Sequence, residues 1–209
     1  MSSLVKPGPA PSVRAADESD LRVRKAILSD VRPLLGLING YASMGIMLPR
    51  TEAELSETIR DFTVAEAGGR LVGCAALHFY GPGTGEVRSL AVDPEWKNHG
   101  VGRRLMVAIE AEARANGLHS MFAFTYVPGF FGKFGFVEVG RETLPSKVWK
   151  DCLRCPKFQC CDEIAMRKGL VAPMGVGEPA PIRGEAGLSF DNEDTGVVLP
   201  TVGKVTVQS

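Results

Sequence analysis

The chain has 209 residues, of which 44% are hydrophobic and 23% charged, an ordinary composition for a globular protein with one sizeable core. Its 24 basic and 24 acidic residues cancel, which argues against a general electrostatic attraction to nucleic acid or to anionic membranes. The first residues lack the apolar segment of a signal peptide, and no apolar run approaches the roughly 20 residues of a membrane span, so we expect a cytoplasmic protein.

Two segments of biased composition flank the centre of the chain. Residues 1–20 are rich in Pro, Ser, Ala and Asp, and residues 169–209 carry repeated Gly, Pro, Glu and Asp with only brief apolar runs. Such segments bury too little apolar surface to offset the entropy lost on ordering. We therefore predict a flexible N-terminal tail over 1–20, one folded domain over 21–168 and a disordered C-terminal tail over 169–209.

The folded domain opens with a strand and two helices. Val23–Ala26 has the pattern of a strand, and Ser29-Asp30 can cap a helix whose apolar residues recur at helical spacing. A second helix is predicted over Glu52–Asp61. Three strands separated by glycine-containing turns follow, over Phe62–Glu66, Leu71–Tyr80 and Glu86–Val92.

A loop and a long helix come directly after the third of these strands. The strand ends at the turn pair Asp93-Pro94, and apolar residues then recur at helical spacing from Val101 until Gly117, a plausible helix C-cap. Between them, the segment Lys97–Gly102 places two glycines where the backbone must approach something closely. The unpaired amides of a helix start carry positive partial charge, so this segment is a candidate anion site.

The remaining elements complete an α/β pattern. Ser120–Thr125 reads as a buried strand, Phe130–Phe134 as a short helix, and further strands are predicted from Phe136 and over Cys161–Arg167. The element order βααβββαβαβ(β) predicts helices packed on a mixed sheet.

The stretch EVRSLAVDPEWKNHGVGRRL resembles motif A of the GCN5-related N-acetyltransferases (GNAT), whose loop reads Gln/Arg-x-x-Gly-x-Gly/Ala after a Leu-x-Val strand. The resemblance implies the GNAT fold, a mixed and mostly antiparallel sheet with a central splay, flanked by helices. It implies acetyl-CoA as co-substrate, held between the strands at Glu86–Val92 and Ser120–Thr125. The implied cofactor-binding residues are Leu90, Ala91, Val92, Lys97, Asn98, His99, Gly100, Val101, Gly102, Arg103 and Phe131.

Two positions depart from the family pattern. The first loop position is Lys97, a point charge compatible with phosphate but without the planar fork of an arginine. The segment FAFTYVPGFFGKFGF resembles motif B, in which many relatives place a tyrosine at the position of Phe131 to reprotonate the leaving thiolate. Tyr126 is the nearby tyrosine candidate for that role, and water is the alternative.

Acetyl transfer to an amine also requires a base, because most amines arrive protonated at neutral pH. Glu86, at the start of the motif A strand, is the candidate, acting directly or through a water. By period-two alternation it would share one face with Arg88, Leu90 and Val92. Arg88 could pair with Glu86 and weaken it as a base, or it could bind the carboxylate of the acceptor, which is the role we favour.

The pieces LPR at 48–50, EVRSLAV and FAFTYVPGFFGKFGF resemble the acetyltransferase domain of bacterial N-acetylglutamate synthases. The block LPSKVWKDCLRCPKFQCCDEIAM resembles that of a short, single-domain branch of this group. The resemblance implies an amino-acid acceptor, most readily glutamate in arginine biosynthesis, with Arg50 holding a substrate carboxylate. We add Arg88, Thr125 and Lys147 to the predicted substrate-binding residues. Where the two-domain enzymes carry an arginine after the threonine, this chain has Tyr126, so Arg88 and Lys147 would have to compensate.

Five cysteines, an odd number, argue against a disulfide framework. Cys74 lies in an apolar run and is predicted to be a small core residue. Cys152, Cys155, Cys160 and Cys161 lack the two separated pairs of a strong zinc pattern, so we expect packing thiols and no metal, with a metal or redox role as the alternative.

The sequence therefore predicts an acetyl-CoA-dependent N-acetyltransferase acting on a small amino acid, with a homodimer as a compatible assembly and no nucleic-acid or membrane partner. Two alternatives keep the same fold. One is an enzyme that acetylates another small amine or a protein lysine, and the other is a noncatalytic acyl-CoA sensor or metal-binding interaction module.

Overall fold

The computed structural model describes residues 20–81, 83–145, 153, 155 and 157–170. The strands are β1 Arg22–Lys25, β2 Phe62–Ala67, β3 Arg70–Phe79, β4 Thr84–Val92, β5 Ser120–Thr125, β6 Val137–Glu138 and β7 Ile164–Gly169. The helices are α1 Val31–Ser43, α2 Glu52–Glu57, α3 Val101–Ala115 and α4 Pro128–Gly132. The predicted domain limits at 21 and 168 stay predictions.

The seven strands form one sheet in the order β1-β2-β3-β4-β5-β7-β6. Neighbouring strands are antiparallel except β4 and β5, which run parallel, so the predicted mixed and mostly antiparallel sheet is confirmed. The β4–β5 pairing covers only Thr84–Glu86 against Ser120–Phe122. Beyond that point the two strands separate, which is the predicted central splay.

Helices cover both faces of the sheet. The apolar face of α3, including Leu105 and Ile109, packs on Leu77 and Val87 in one buried cluster. The apolar faces of α1 and α2 pack on the other side, where the fully buried Leu34, Ile38 and Leu55 share a second cluster with Cys74 and Ala76. Full burial of such a side chain is worth about 1.5–3 kcal/mol, so both layers hold the sheet in place.

A β-bulge interrupts β4 in the middle of the sheet. The β3–β4 register joins Ala76 to Arg88 and then Cys74 to Ala91, so two residues of β4, Ser89 and Leu90, lie opposite one residue of β3. Ser89 takes the left-handed conformation with φ 52°, which is uncommon for a residue with a side chain.

The bulge reverses the side-chain alternation along β4. Glu86 and Arg88 project to the side of α1 and α2, whereas Leu90 and Val92 pack against the α3 cluster. The prediction that these four side chains share one face was wrong, because the extra residue at the bulge shifts the phase of the strand by one. The side chain of the candidate base, Glu86, therefore lies on the opposite face of the sheet from the side chains of Leu90 and Val92, the predicted cofactor-binding residues of β4.

The second helix ends earlier than predicted. Its N-terminus is a capping box in which Thr51 Oγ1 accepts from the amide of Glu54 and the Glu54 carboxylate accepts from the amide of Thr51. At the other end, Thr58 Oγ1 donates to the carbonyl of Glu54 at 2.7 Å, α2 stops at Glu57, and a 3₁₀ turn follows over Ile59–Asp61. The side chain of Thr58 thus takes a carbonyl of the last turn and closes the helix.

The last strand begins three residues later than predicted, at Ile164 rather than Cys161. The guanidinium of Arg141 donates to the carbonyls of Cys161 and Glu163, so those groups do not extend the ladder with β5. The short helix begins at Pro128 rather than Phe130, since proline suits a first helical position. Gly117, at φ 69° after α3, confirms the predicted helix end.

The sequence predicted that Ser29-Asp30 caps α1, but the side chain of Asp30 makes no capping hydrogen bond to that helix. Its carboxylate accepts from the amide of Ile27 at 2.8 Å and from two nitrogens of the Arg24 guanidinium at 2.7 and 3.0 Å. The hydrogen bonds from Arg24 hold the pKa of Asp30 below its ordinary value of 3.8. Asp30 therefore joins β1 to the start of α1.

Replacing Asp30 with Ala should lower the free energy of unfolding at pH 7 by about 1.5–3 kcal/mol, the usual worth of hydrogen bonds to a charged group. Folding lowers the pKa of Asp30 from its ordinary value of 3.8. The stability that this carboxylate contributes is therefore complete above pH 3.8 and is lost as the pH falls through its lower pKa in the folded protein. The difference between the two proteins in urea unfolding should accordingly shrink below about pH 4. Glu57→Ala, which removes an exposed carboxylate at the end of α2, is the control, and an equal loss there would contradict the assignment.

Candidate active site

The loop between β4 and α3 is shaped by short-range contacts. Asp93 accepts from the amide of Glu95 at 3.0 Å and opens a 3₁₀ turn in which Trp96 is buried. Asn98 and Gly100 then take left-handed conformations, at φ 68° and 75°, and α3 begins at Val101. The amides of the first turn of a helix have no carbonyl of their own helix to bind. The predicted anion site thus has the expected local backbone.

Within this loop the side chains divide between solvent and core. Val101 is buried and packs in the α3 cluster. The predicted cofactor-binding residues of the loop that are exposed are Lys97, Asn98, His99, Gly100 and Arg103. A Cβ atom added at Gly102 would lie 3.3 Å from the ring of Phe130 and 3.8 Å from Val92. Glycine at 102 therefore leaves room between the helix start, the end of β4 and α4.

The aromatic ring beside this helix start belongs to Phe130. Phe131, the predicted cofactor contact, is 3% exposed and packs edge-on against Phe130 and Phe136, with ring centroids 5.5 and 5.3 Å apart. Its predicted contact with the cofactor stays a prediction. Phe130 is a residue that the sequence did not single out, since neighbouring phenylalanines cannot be told apart by pattern alone.

Glu86 lies on the other face, at the point where β4 and β5 separate. It is 9% exposed, and its Oε2 accepts a hydrogen bond from the hydroxyl of Tyr80 at 2.9 Å. The guanidinium of Arg88 is 3.9 Å from the same oxygen, a loose ion pair between two largely buried side chains. The structure therefore brings Glu86 and Arg88 together and adds Tyr80, which the sequence analysis missed.

Tyr80 is itself held in place. Its ring packs on Phe122 at 5.5 Å and meets the ring of His78 edge-on at 5.1 Å. His78 Nδ1 shares a hydrogen bond with the carboxylate of Asp61 at 2.6 Å. Alternation along β3 does place His78 and Tyr80 on one face, but the register across the GPGTG turn, which sets them beside Glu86, is not readable from sequence.

Arg50 is fixed through its backbone. The side-chain amide of Asn39 donates to the carbonyl of Arg50 and accepts from its amide, both at 2.9 Å. This places Arg50 at the end of the loop between α1 and α2, on the same side of the sheet as Glu86. Within the described residues its guanidinium makes no hydrogen bond or ion pair, so it is available to a ligand.

Thr125 and Tyr126 follow at the end of β5. Thr125 is buried, and its hydroxyl oxygen accepts from the amide of Val127 at 3.0 Å. Tyr126 donates its phenolic proton to Asp162 at 2.9 Å and accepts from Lys157 at 3.2 Å. Desolvation raises the pKa of Tyr126, and the hydrogen bond to Asp162 adds to this. Lys147, the other predicted substrate contact, lies outside the described residues.

The described cysteines are free thiols, and they differ in burial: Cys155 and Cys161 are half-buried, whereas Cys160 is exposed, so the prediction that it packs was wrong. Cys74 is fully buried and donates to the carbonyl of Ser89 at the bulge, and burial raises its pKa to about 12, which confirms it as a core residue. No set of three His, Cys, Asp or Glu side chains is arranged to hold a metal among the described residues. Cys152 lies outside them.

A cavity of about 630 Å³ lies elsewhere, between α1, the β2–β3 turn and the loop after β4. Its wall includes Gly36, Tyr41, Arg70 and Asp93 but none of the predicted site residues. Glu86 lies outside this cavity, at the point where the pairing of β4 and β5 ends. None of the described helices is long and apolar enough to cross a membrane.

Comparison with known proteins identifies relatives of this chain. The model of the acetyltransferase (GNAT) family matches residues 37–136. An uncharacterized N-acetyltransferase of Chlorobaculum tepidum is 43% identical over 152 residues, which cover 73% of this chain and 98% of the relative. An amino-acid acetyltransferase of Mycobacterium tuberculosis is 34% identical, with 63% of this chain and 77% of the relative covered.

Two solved structures have the same fold and contain CoA. N-acetylglutamate synthase from Neisseria gonorrhoeae, complexed with coenzyme A and N-acetyl-glutamate, superposes with a TM-score of 0.66 at 29% identity, over 72% of this chain and 35% of that one. Rv2747 from Mycobacterium tuberculosis, in complex with CoA and NLQ, gives a TM-score of 0.63 at 30% identity, over 72% of this chain and 99% of that one.

Replacing Gly102 with Glu should weaken CoA binding about tenfold or more, because the carboxylate would enter the space beside Phe130 and add negative charge where a helix start favours phosphate. Calorimetry with CoA measures the effect. Gly36→Glu is the control, since it adds the same charge at a helical glycine with open space around it. Unchanged affinity in a folded Gly102→Glu protein would contradict the phosphate-loop assignment.

Three observations indicate the same family: the sheet with its splay, the glycine-containing loop before α3, and the sequence relatives. The two CoA complexes support acetyl-CoA as the co-substrate. The chain belongs to the GCN5-related N-acetyltransferase family and is an acetyl-CoA-dependent N-acetyltransferase.

Proposed function

We propose that this enzyme transfers acetyl from acetyl-CoA to the α-amine of an amino acid, that the acceptor is L-glutamate, and that the reaction is the first step of arginine biosynthesis in the cytoplasm. The observation that carries the proposal is the pair of Glu86 and Arg88 at the splay, a carboxylate that can take a proton beside a cation that can bind a carboxylate. The relatives named amino-acid acetyltransferase, and the neighbour complexed with N-acetyl-glutamate, support it.

The reaction needs a neutral amine within reach of the thioester. In this proposal Glu86 takes a proton from the ammonium group of the acceptor, directly or through a water. The neutral nitrogen then attacks the carbonyl carbon and a C–N bond forms. The nitrogen of this tetrahedral adduct gives its second proton to water, the C–S bond breaks, and CoA leaves as a thiolate. Glu86 lies where β4 and β5 begin to separate, so an acceptor on its face can meet a thioester held in the splay.

Tyr80 would fix the geometry of this base. A carboxylate that accepts from a phenol and lies near a guanidinium has one preferred orientation, which lowers the entropy lost when the amine binds. Tyr80 thus holds the Glu86 carboxylate in one orientation.

The thiolate must regain a proton after the C–S bond breaks. Tyr126 can supply one only by giving up its hydrogen bond to Asp162, and its raised pKa opposes the transfer. These two facts favour water as the proton donor, with Tyr126 as the second candidate. The phenol of Tyr126 then serves to hold Asp162 and Lys157 at the end of β5.

Recognition of the acceptor would fall to Arg50 and Arg88, with Lys147 and Thr125 completing the set. A dicarboxylate is best matched by two cationic partners. Arg50 lies at the end of the α1–α2 loop and Arg88 in the sheet beneath α1 and α2, so both face the same side of the sheet as Glu86. Tyr126 cannot supply the charge that an arginine would supply after Thr125.

Replacing Glu86 with Gln should lower kcat about 10²-fold to 10⁴-fold and leave the CoA dissociation constant nearly unchanged, because the amide keeps the shape but cannot accept the proton. The pH–rate profile should lose its dependence on a carboxylate. Glu138→Gln, in the exposed edge strand β6, is the control and should keep full activity. An unaltered pH–rate profile in Glu86→Gln would move the base role to water.

The acceptor itself is decided by a screen of all amino acids that measures CoA release. Glutamate should be the best substrate, and glutamine should be poorer because one cation is left unmatched. Arg50→Ala and Arg88→Ala should each raise the KM for glutamate about tenfold to a hundredfold, the worth of a charge-assisted hydrogen bond. The KM for acetyl-CoA should change little.

Arg60→Ala removes an exposed arginine after α2 and serves as the control for the two arginine variants. Equal use of glutamate and of amines without a carboxylate would contradict the amino-acid proposal and favour another small amine or a protein lysine. Unchanged glutamate KM in both variants would remove the arginines from the acceptor site.

A further inference from the structure

Tyr41, near the end of α1, joins that helix to the last residue of β4. Its hydroxyl donates to the carbonyl of Val92 at 2.6 Å, across 51 residues of sequence. The carbonyl lies one residue before the Asp93-Pro94 turn, where β4 gives way to the loop that leads to α3. Tyr41 therefore fixes the point from which the loop departs.

The ring of the same tyrosine lies beneath a cation of that loop. The ammonium of Lys97 is 5.4 Å from the centroid of the Tyr41 ring, within the range of a cation–π contact. Lys97 is exposed and stands at the first position of the loop, where the family pattern has Gln or Arg. Tyr41 thus contacts both the strand end and the loop cation.

We infer that Tyr41 is a positioning residue for the acetyl-CoA phosphates in this enzyme. It holds the end of β4 with its hydroxyl and directs the Lys97 ammonium toward the first turn of α3 with its ring. The inference rests on the assignment of the Lys97–Arg103 loop to the phosphates.

A lysine needs such a partner more than an arginine does. Its flexible stem loses about 1.5–2 kcal/mol of rotamer freedom when the head group is fixed, and its ammonium lacks the planar fork that orients a guanidinium. A ring below one side of the ammonium restricts the stem before the ligand arrives and leaves N–H donors free on the other side. Pre-organisation of this kind lowers the entropy lost on binding.

Two substitutions separate the two contacts. Tyr41→Phe removes the hydrogen bond to Val92 and keeps the ring, whereas Tyr41→Leu removes both. By calorimetry with CoA, we expect dissociation constants raised about threefold and about tenfold, respectively, the range given by one net hydrogen bond and one exposed cation–π contact. In a Lys97→Met background the difference between the two variants should vanish, because the cation is gone.

Leu35→Ala is the matched control. Leu35, on α1, packs with Tyr41 against the same buried cluster, but a leucine can make neither the hydrogen bond to Val92 nor the cation–π contact with Lys97. This variant therefore loosens the packing of the helix and keeps both links. Its melting temperature should fall while its CoA affinity changes less than twofold. Equal weakening in Leu35→Ala and Tyr41→Leu would reduce Tyr41 to a packing residue and overturn the inference.

The remaining outcomes are distinguishable. Wild-type affinity in Tyr41→Leu, together with lost affinity in Gly102→Glu, would overturn the role of Tyr41 and keep the phosphate loop. Wild-type affinity in both would overturn the loop assignment and this inference with it. In the Lys97→Met background, the CoA dissociation constants of Tyr41→Leu and Tyr41→Phe could also still differ. That result would show that the ring does not act through the Lys97 cation and would overturn this part of the inference.

Discussion

The structure depends on an unpaired edge in the middle of a sheet. β4 pairs with β5 only from Thr84 to Glu86, and from Val87 onward the two strands are not hydrogen-bonded to each other. Backbone N–H and C=O groups left without a ladder partner need hydrogen bonds from elsewhere, or they stay open to water. An extended molecule with amide groups, such as the pantetheine arm of CoA, can supply them. The enzyme thus leaves open, between two strands, a site that a closed sheet would not have.

The bulge at Ser89 and Leu90 divides β4 into two functional parts. Before it, Glu86 and Arg88 face α1 and α2. After it, Leu90 and Val92 pack toward α3, and the loop that follows is the predicted anion site. One strand can therefore carry the acceptor chemistry on one face and the cofactor on the other. The thiol of Cys74, donating to the Ser89 carbonyl, is one of the contacts that hold the bulge.

Helix α1 connects both halves of this arrangement. Asn39 is hydrogen-bonded to the backbone of Arg50, the residue proposed to bind the acceptor carboxylate. Tyr41 is hydrogen-bonded to Val92, and its ring lies below Lys97. These residues lie within one turn of the helix. In the proposed mechanism, displacement of the end of α1 would shift the acceptor site and the phosphate loop together. The packing of Leu34 and Ile38 on the sheet would then serve catalysis as well as stability.

The sequence by itself determined the local parts: the loop with Lys97 and its glycines, the end of helix α3 just before Gly117, and the order of the strands and helices. These follow from residues near one another in the chain, whose turn chemistry and periodicity act over a few positions. Only the tertiary structure decided which side chains meet. The phase change at the bulge, the bond from Tyr80 to Glu86 and that from Tyr41 to Val92 depend on register and on contacts between distant segments, and no local pattern encodes them.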